Sequence, residues 1–243
     1  MTRKLFEEDA YAQTCDATVV RVLDDGSIEL DRTVMYANSG GQPGDTGRLE
    51  RADGSTIEIA DARYADGGKT VVLHMPRDGR ARPEPGEAVT VHVDWDRRYR
   101  LMQMHTACHI LSVVVPQPIT GAAVAQDNSR VDIDLAQPVT KEEVTAAMQA
   151  IIKADHPVFT RSISRAELEA QPGLVKSKNV RPPSGASLVR LVCIGEDAGI
   201  DSQPCGGTHV SRTSELGAMH IGKIEKKGRE NRRFRIRFGE APA

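Results

Sequence analysis

Between Ala17 and Asp94 the chain alternates apolar and polar residues in short runs: ATVVRVLDD, SIELDR, TIEIADARY, KTVVLHM and AVTVHVDW. A period of two sets one face of each run against a core and the other in water, as in half-buried strands. Asp-Gly pairs interrupt the runs at turn spacing, so the segment is constrained to a small antiparallel barrel or sandwich. One long stretch, Tyr36 to Gly47 (YANSGGQPGDTG), lacks strand character and is rich in glycine. After Trp95 the pattern changes. DRRYRLMQMHTACHILSVVV reads as a helix stopped by Pro116. TKEEVTAAMQAIIKA reads as a second, with Thr140 as N-cap and Glu143 completing a capping box. Its Val144, Ala147, Met148, Ile151 and Ile152 fall on one face. SRVDIDL, ASLVRLVCIG, AMHIGKIEKKG and RRFRIRFG read as strands. The predicted class is α+β: a small antiparallel β-barrel-like domain over residues 1–95, then a domain over 96–243 with helices packed on a mostly antiparallel sheet.

With 243 residues, 39% of them hydrophobic, the chain can bury two such cores. No stretch approaches the roughly 18 uninterrupted apolar residues of a membrane span. The N-terminal MTRKLFEEDAYAQ has no apolar run of the secretory kind, and four cysteines do not make a disulfide scaffold. A reduced, cytoplasmic protein is expected.

Two residue pairs carry chemistry. His105 and His109 stand at i and i+4 on the first helix, one turn apart on one face. Cys205 and His209 repeat that spacing in PCGGTHV, where glycines let a loop fold back on itself. Alone, either pair is weak. Together, a thiol and three imidazoles form a donor set suited to Zn2+, a borderline-soft ion. Four protein ligands describe a closed site, whereas catalytic zinc keeps a position open, so zinc is expected either to act on water or carbonyl or to organise the site. A zinc peptidase would carry Glu beside the first histidine; that position is Thr106. Cys108 and Cys193 read as core residues, Cys15 has no ligand-spaced neighbour, and His74, His92, His156 and His220 read as structural.

HTACHIL followed at long range by CGGTHV, with SGGQPGDTG upstream, resembles the editing domain of alanyl-tRNA synthetase and the free-standing AlaX editing proteins. VAQDNSRVDIDL and SELGAMHIGKIEKKG extend the likeness over most of the chain. The length leaves no room for an aminoacylation domain, as in the longer free-standing type. The resemblance implies a zinc-dependent hydrolase that cleaves the ester of mischarged tRNA(Ala), Ser-tRNA(Ala) first and also Gly-tRNA(Ala). It implies His105, His109, Cys205 and His209 as ligands and Gln126 near the serine hydroxyl. Gln126, Thr106 and Gln42 are the candidate catalytic residues. Gly40 and Gly41, with Gly206 and Gly207, are candidate substrate-binding positions, because glycine lets a backbone approach a ligand closely.

A tRNA partner needs cations, and the net charge of −2 offers none in bulk. Local distribution does. KIEKKGRENRRFRIR, residues 223–237, holds eight Lys or Arg against two Glu. Lys223, Lys226, Lys227, Arg232 and Arg233 are the candidate tRNA-binding residues, and Lys176, Lys178 and Arg181 form a smaller cluster. At 4% aromatic content, base stacking is not expected to dominate. Two other readings stay open: a zinc-stabilised RNA-binding module without activity, and an editing hydrolase for another mischarged tRNA. Oligomeric state is not legible.

Overall fold

The structure is a computed structural model that describes residues 1–65, 67–78, 83–179 and 187–242. The chain divides into two compact units, Met1–Tyr99 and Arg100–Ala243. Arg181 lies outside the described residues.

The first unit runs β1 (Arg3–Lys4), α1 (Leu5–Glu8), β2 (Thr14–Val22), β3 (Ile28–Leu30), β4 (Arg32–Thr33), β5 (Gly47–Arg51), β6 (Thr56–Tyr64), β7 (Val72–Pro76) and β8 (Ala88–Val93). Six of these strands close a barrel in the order β2-β3-β7-β6-β5-β8, each neighbouring pair antiparallel. The five alternating runs supply β2, β3, β6, β7 and β8. Their inward residues, among them Val19, Ile28, Ile57, Ile59, Val72 and Val91, form one buried core. The sixth strand, GRLER, was not legible, because only Leu49 in it is fully buried and a single apolar residue shows no period.

The glycine-rich segment is ordered. Ser39 and Gln42 exchange both backbone hydrogen bonds, at 3.1 and 3.0 Å, and Gly40 and Gly41 between them have φ of 59° and 88°. That is a two-residue hairpin turn of the type that needs a left-handed conformation twice. A Cβ on Gly44 would overlap the Ala62 carbonyl, and one on Gly47 the His92 carbonyl, so these glycines admit neighbouring strands. Asp45 accepts the Tyr36 N–H at 2.6 Å and is clasped by Arg98, whose guanidinium also donates to the Val34 carbonyl at 2.6 Å and the Ala10 carbonyl at 3.1 Å. Arg98 and Asp45 are both buried, and these hydrogen bonds offset part of the cost of burying the pair, although Asp45 Oδ1 has no hydrogen-bond partner among the described residues.

Helix α2 (Trp95–Val114) begins behind Asp94, whose carboxylate accepts the Arg97 N–H at 3.3 Å. The second unit continues with β9 (Ile119–Ala123), β10 (Asn128–Asp134), α3 (Lys141–Lys153), β11 (Val158–Ser164), α4 (Arg165–Ala170), β12 (Leu188–Ile194), β13 (Asp201–Pro204), β14 (Met219–Lys226) and β15 (Asn231–Phe238). They make two antiparallel sheets, β14-β15-β10-β9 and β11-β12-β13. The capping box at Thr140 and Glu143 is formed. The buried face of α3 is narrower than its sequence suggests. Val144, Met148 and Ile152 are buried at a spacing of four, Ile151 is half-buried and Ala147 is exposed. Two polar contacts seat α3 on β14: Gln149 Nε2 donates to the Met219 carbonyl at 2.7 Å, and Thr145 Oγ1 accepts the Ile221 N–H at 3.0 Å. Among the described residues, no helix is long and apolar enough to cross a membrane.

Candidate metal centre

The four predicted ligands converge. His105 and His109 project from one face of α2, and Cys205 and His209 come from the loop after β13. One donor atom from each lies within 4.8 Å of every other. Cys205 Sγ is 3.6 Å from His105 Nε2 and 3.4 Å from His209 Nε2. For a tetrahedral ion with Zn–N of about 2.0 Å and Zn–S of about 2.3 Å, the N···S edge comes to about 3.5 Å. The spacing and the donor chemistry therefore fit such an ion, and His105, His109, Cys205 and His209 can hold it.

Each arm of the cluster is braced from behind. Thr106 Oγ1 donates to the Met102 carbonyl at 2.9 Å, which spends its only proton. The same oxygen must then accept from His209 Nδ1, 3.1 Å away, so His209 carries its proton there and turns a bare Nε2 toward the thiol. Thr106, a candidate catalytic residue, is fully buried, with its hydroxyl between the Met102 carbonyl and His209. His109 Nδ1 faces Asp201 Oδ2 at 3.4 Å, an electrostatic contact, and leaves its Nε2 to the cluster. Asp201 is itself held by Lys176 Nζ at 2.5 Å and Gln203 Nε2 at 2.7 Å. Ser112, which donates to the His109 carbonyl at 2.7 Å, accepts from Gln203 at 3.1 Å.

Electrostatics follow from this arrangement. Burial opposes ionisation of Cys205, but the imidazoles of His105 and His209 outweigh it and hold the thiol well below its ordinary range. The Gly207 N–H donates to the sulfur at 3.4 Å. His109 has its pKa raised to about 9: burial pulls the value down, and the Asp201 carboxylate and Cys205 sulfur more than reverse it. His209 is pushed well below its usual value by burial and by the neighbouring His105. Asp201 is brought down to about 2; burial works against its charge, and His109 and Lys176 overcome that.

The glycines of PCGGTHV are not there for a left-handed backbone. Neither Gly206 nor Gly207 has a positive φ, and nothing lies within 4 Å of where a Cβ on the exposed Gly206 would stand. The loop's shape is fixed by Arg190, which donates to the Cys205 carbonyl at 2.7 Å and the Gly207 carbonyl at 3.0 Å. Arg190 was missed in the sequence; Asp201, just before the thiol, reads there as shaping the loop rather than doing chemistry. Asp201 and Gln203 do alternate inward along β13, but four residues, DSQP, are too few to declare a period.

The other candidates lie elsewhere in the chain. Gln126 is half-exposed in the turn between β9 and β10. Gly40 and Gly41 form the exposed tip of the hairpin in the first unit, where Gln42 is buried. Lys223, Lys226 and Lys227 are exposed on β14 and just beyond it. Arg232 turns back to the carbonyl of Gly228 at 3.3 Å and that of Asn231 at 3.1 Å, and Arg233 grips Asp132 through two bonds of 2.7 Å. Of the smaller basic cluster, Lys176 is bound to Asp201 and Lys178 to Asp134. Cys108 and Cys193 are buried, and burial pushes the Cys108 thiol up to about 12.

Comparison with known proteins agrees with this organisation. Residues 189–235 match the family model of the threonyl and alanyl tRNA synthetase second additional domain, and residues 9–97 match that of class II (A) tRNA synthetases. An alanyl-tRNA editing protein AlaX-M of Methanosarcina acetivorans is 37% identical over 96% of this chain and 98% of its own length. Its counterpart in Saccharolobus solfataricus is 32% identical over 96% of the chain and 97% of its length. An alanine–tRNA ligase of Pyrobaculum calidifontis is 37% identical over 93% of the chain, which spans only 25% of that longer relative.

Proposed function

Since this chain belongs to the alanyl-tRNA editing protein AlaX-M family, we propose that it is a free-standing hydrolase that cleaves the ester of mischarged tRNA(Ala), Ser-tRNA(Ala) first and Gly-tRNA(Ala) second. The observation that carries this reading is the thiolate-and-three-imidazole cluster, each arm oriented by its own buried partner. Zn2+ held there would supply Lewis-acid polarisation of an ester carbonyl or a water of lowered pKa. The protein's residues do the rest. Thr106 and Asp201 fix the two imidazoles behind the centre, and Arg190 fixes the loop that carries the thiol. Gly206 is exposed, with nothing among the described residues within 4 Å of where its Cβ would stand, which leaves that part of the loop open to a substrate.

Gln126 is assigned to read the serine hydroxyl. A polar group that meets a hydroxyl in serine and nothing in alanine discriminates by leaving itself unpaired with the wrong substrate. An apolar pocket cannot do the same for an amino acid one oxygen larger. The Gly40–Gly41 turn offers bare backbone to a substrate, and Gln42 acts by fixing that turn. Lys223, Lys226, Lys227, Arg232 and Arg233 serve the tRNA.

The test is a panel of mischarged tRNAs given to the purified protein. Ser-tRNA(Ala) is expected to be deacylated, Ala-tRNA(Ala) spared, and both activity and metal lost with Cys205→Ala. Binding of tRNA without deacylation of any panel member overturns the hydrolase, and preference for a mischarged threonine tRNA overturns the alanine assignment.

A further inference from the structure

The outward face of the β14-β15-β10-β9 sheet carries an arrangement of charge that the metal centre does not explain. On β15, Phe234 and Ile236 point inward, so Arg233, Arg235 and Arg237 point outward; on β10, Val131 and Ile133 point inward and Arg130 and Asp132 outward. Strand register sets Arg130, Arg235 and Lys223 directly opposite one another across three adjacent strands. Like charges directly opposite are destabilising in a sheet, and at a strand spacing of about 4.8 Å the three fall within about 10 Å. The next row is Asp132, Arg233 and Glu225. Arg130 and Arg233 share Asp132, at 2.9 and 2.7 Å, and Lys223 and Arg235 share Glu225, both at 3.2 Å. Four cations against two carboxylates leave two positive charges, and the exposed Arg237 makes three.

The two carboxylates act as struts. They hold long side chains upright that would otherwise lose conformational entropy on meeting a ligand. The β9 edge of the same face offers Gly121 opposite Asp132 and Ala123 opposite Arg130, positions that raise no obstacle. What the face lacks is equally informative. The aromatic residues of this sheet are Phe234, which is buried, and Phe238, which is covered by the Arg100 guanidinium 4.3 Å from its ring centre. Binders of single-stranded nucleic acid combine cations with aromatic platforms for bases; this plane has the cations alone.

We propose that this face, through Arg130, Lys223, Arg235 and Arg237, docks the phosphate backbone of double-helical RNA, which in the reading above is the acceptor stem of the tRNA. The proposal rests on that reading for the identity of the RNA. It shifts the principal contacts from Arg232, which braces its own hairpin, to Arg130, Arg235 and Arg237.

The experiment is fluorescence anisotropy of an uncharged acceptor-stem minihelix against the full chain, over a series of salt concentrations. A single strand of the same length serves as competitor. The double variant Lys223→Gln/Arg237→Gln changes only exposed positions. It is expected to weaken minihelix binding about tenfold or more at physiological salt and to reduce the slope of log K against log salt by about two. Arg130→Gln is a second variant, expected to lower the slope by about one. An unchanged slope in both variants, or a single strand that competes as well as duplex, overturns the proposal. Because the RNA is uncharged, the outcome is separable from hydrolysis: a protein that binds duplex through this face and deacylates nothing loses the hydrolase reading and keeps this one.

Discussion

Two buried histidines, one in each unit, are driven in opposite directions. His74, inside the barrel, is lowered to about 4, chiefly by burial. His109, on α2, is raised to about 9 although burial opposes it just as strongly in kind. The difference lies in the neighbours. His74 has neutral ones: Nδ1 donates to the Ile28 carbonyl at 3.1 Å, and Nε2 accepts from the Thr33 hydroxyl at 2.8 Å. Thr33 Oγ1 in turn accepts the Met35 N–H at 3.0 Å, so its proton is free to face His74. The neutral ring satisfies every partner, and a second proton would meet another donor. His109 instead faces a carboxylate and a sulfur that favours its thiolate form. Burial sets the stakes, and charge nearby decides the sign.

Removing the anion from the cluster breaks the contrast most severely. Cys205→Ala is expected to abolish metal binding and to lower deacylation by more than about 10³-fold, read by metal analysis and by release of serine from Ser-tRNA(Ala). Full activity with metal retained would strike Cys205 from the centre. The next largest effect belongs to His74. Its folded value lies below the unfolded value of about 6.5, so its contribution is complete above pH 6.5 and is lost as pH falls toward 4. The loss amounts to about 3 kcal/mol. Denaturant titration of metal-free protein between pH 4 and 7 measures it, and His74→Gln should flatten the curve. An identical acid slope in that variant would remove His74 as the cause. In the same metal-free protein His109 works at the other end: its raised value stabilises below about 6.5 and is lost as pH rises through about 9.

Asp201→Asn sharpens the comparison by making the surroundings of His109 resemble those of His74. Metal affinity is expected to fall about 10- to 100-fold, and the rise of affinity with pH, caused by the proton a metal must displace from His109, should shift to lower pH. Competition with a chromophoric chelator at several pH values reads both. Unchanged affinity with an unchanged pH profile would show that the 3.4 Å contact does not act on the ligand.

What the sequence revealed follows the same division between local and long-range order. Five barrel strands were legible because their alternation is a property of consecutive residues, the histidine pair because i and i+4 is a helical spacing, and Cys205 with His209 because a thiol and an imidazole stand close in one short glycine loop. β11 was not, since Phe159, Thr160, Arg161 and Ser162 are all exposed and the strand has no period to read. β9, ITGAA, hides in small residues. Lys176 and Lys178 looked like a nucleic-acid cluster, but in the fold they meet Asp201 and Asp134, partners supplied by distant strands. Arg190 became visible as a site residue only when antiparallel pairing of β12 with β13 brought it beside the loop, and the same pairing set Asp201 against His109. Ligands are chosen by chemistry and can be read from residue type. The residues that orient them are chosen by register, which no short window contains.

The smallest effect tests the hydroxyls that accompany two of the imidazoles. Thr33 gives its proton to His74, whereas Thr106 spends its proton on the Met102 carbonyl and so takes one from His209 Nδ1. The same functional group thus plays opposite parts, donor to one imidazole and acceptor to the other, according to where its own hydrogen is already committed, and both rings keep their proton on Nδ1. Thr106→Val keeps the shape and removes the oxygen. It frees His209 to place its proton on Nε2, where it blocks coordination, and metal affinity should fall about tenfold, toward the lower end of the effect of an outer-sphere partner. Thr106→Ser keeps the oxygen and should retain affinity within about twofold. If both substitutions cost the same, the loss comes from packing against the fully buried site of Thr106, and the hydroxyl has no part in setting the tautomer.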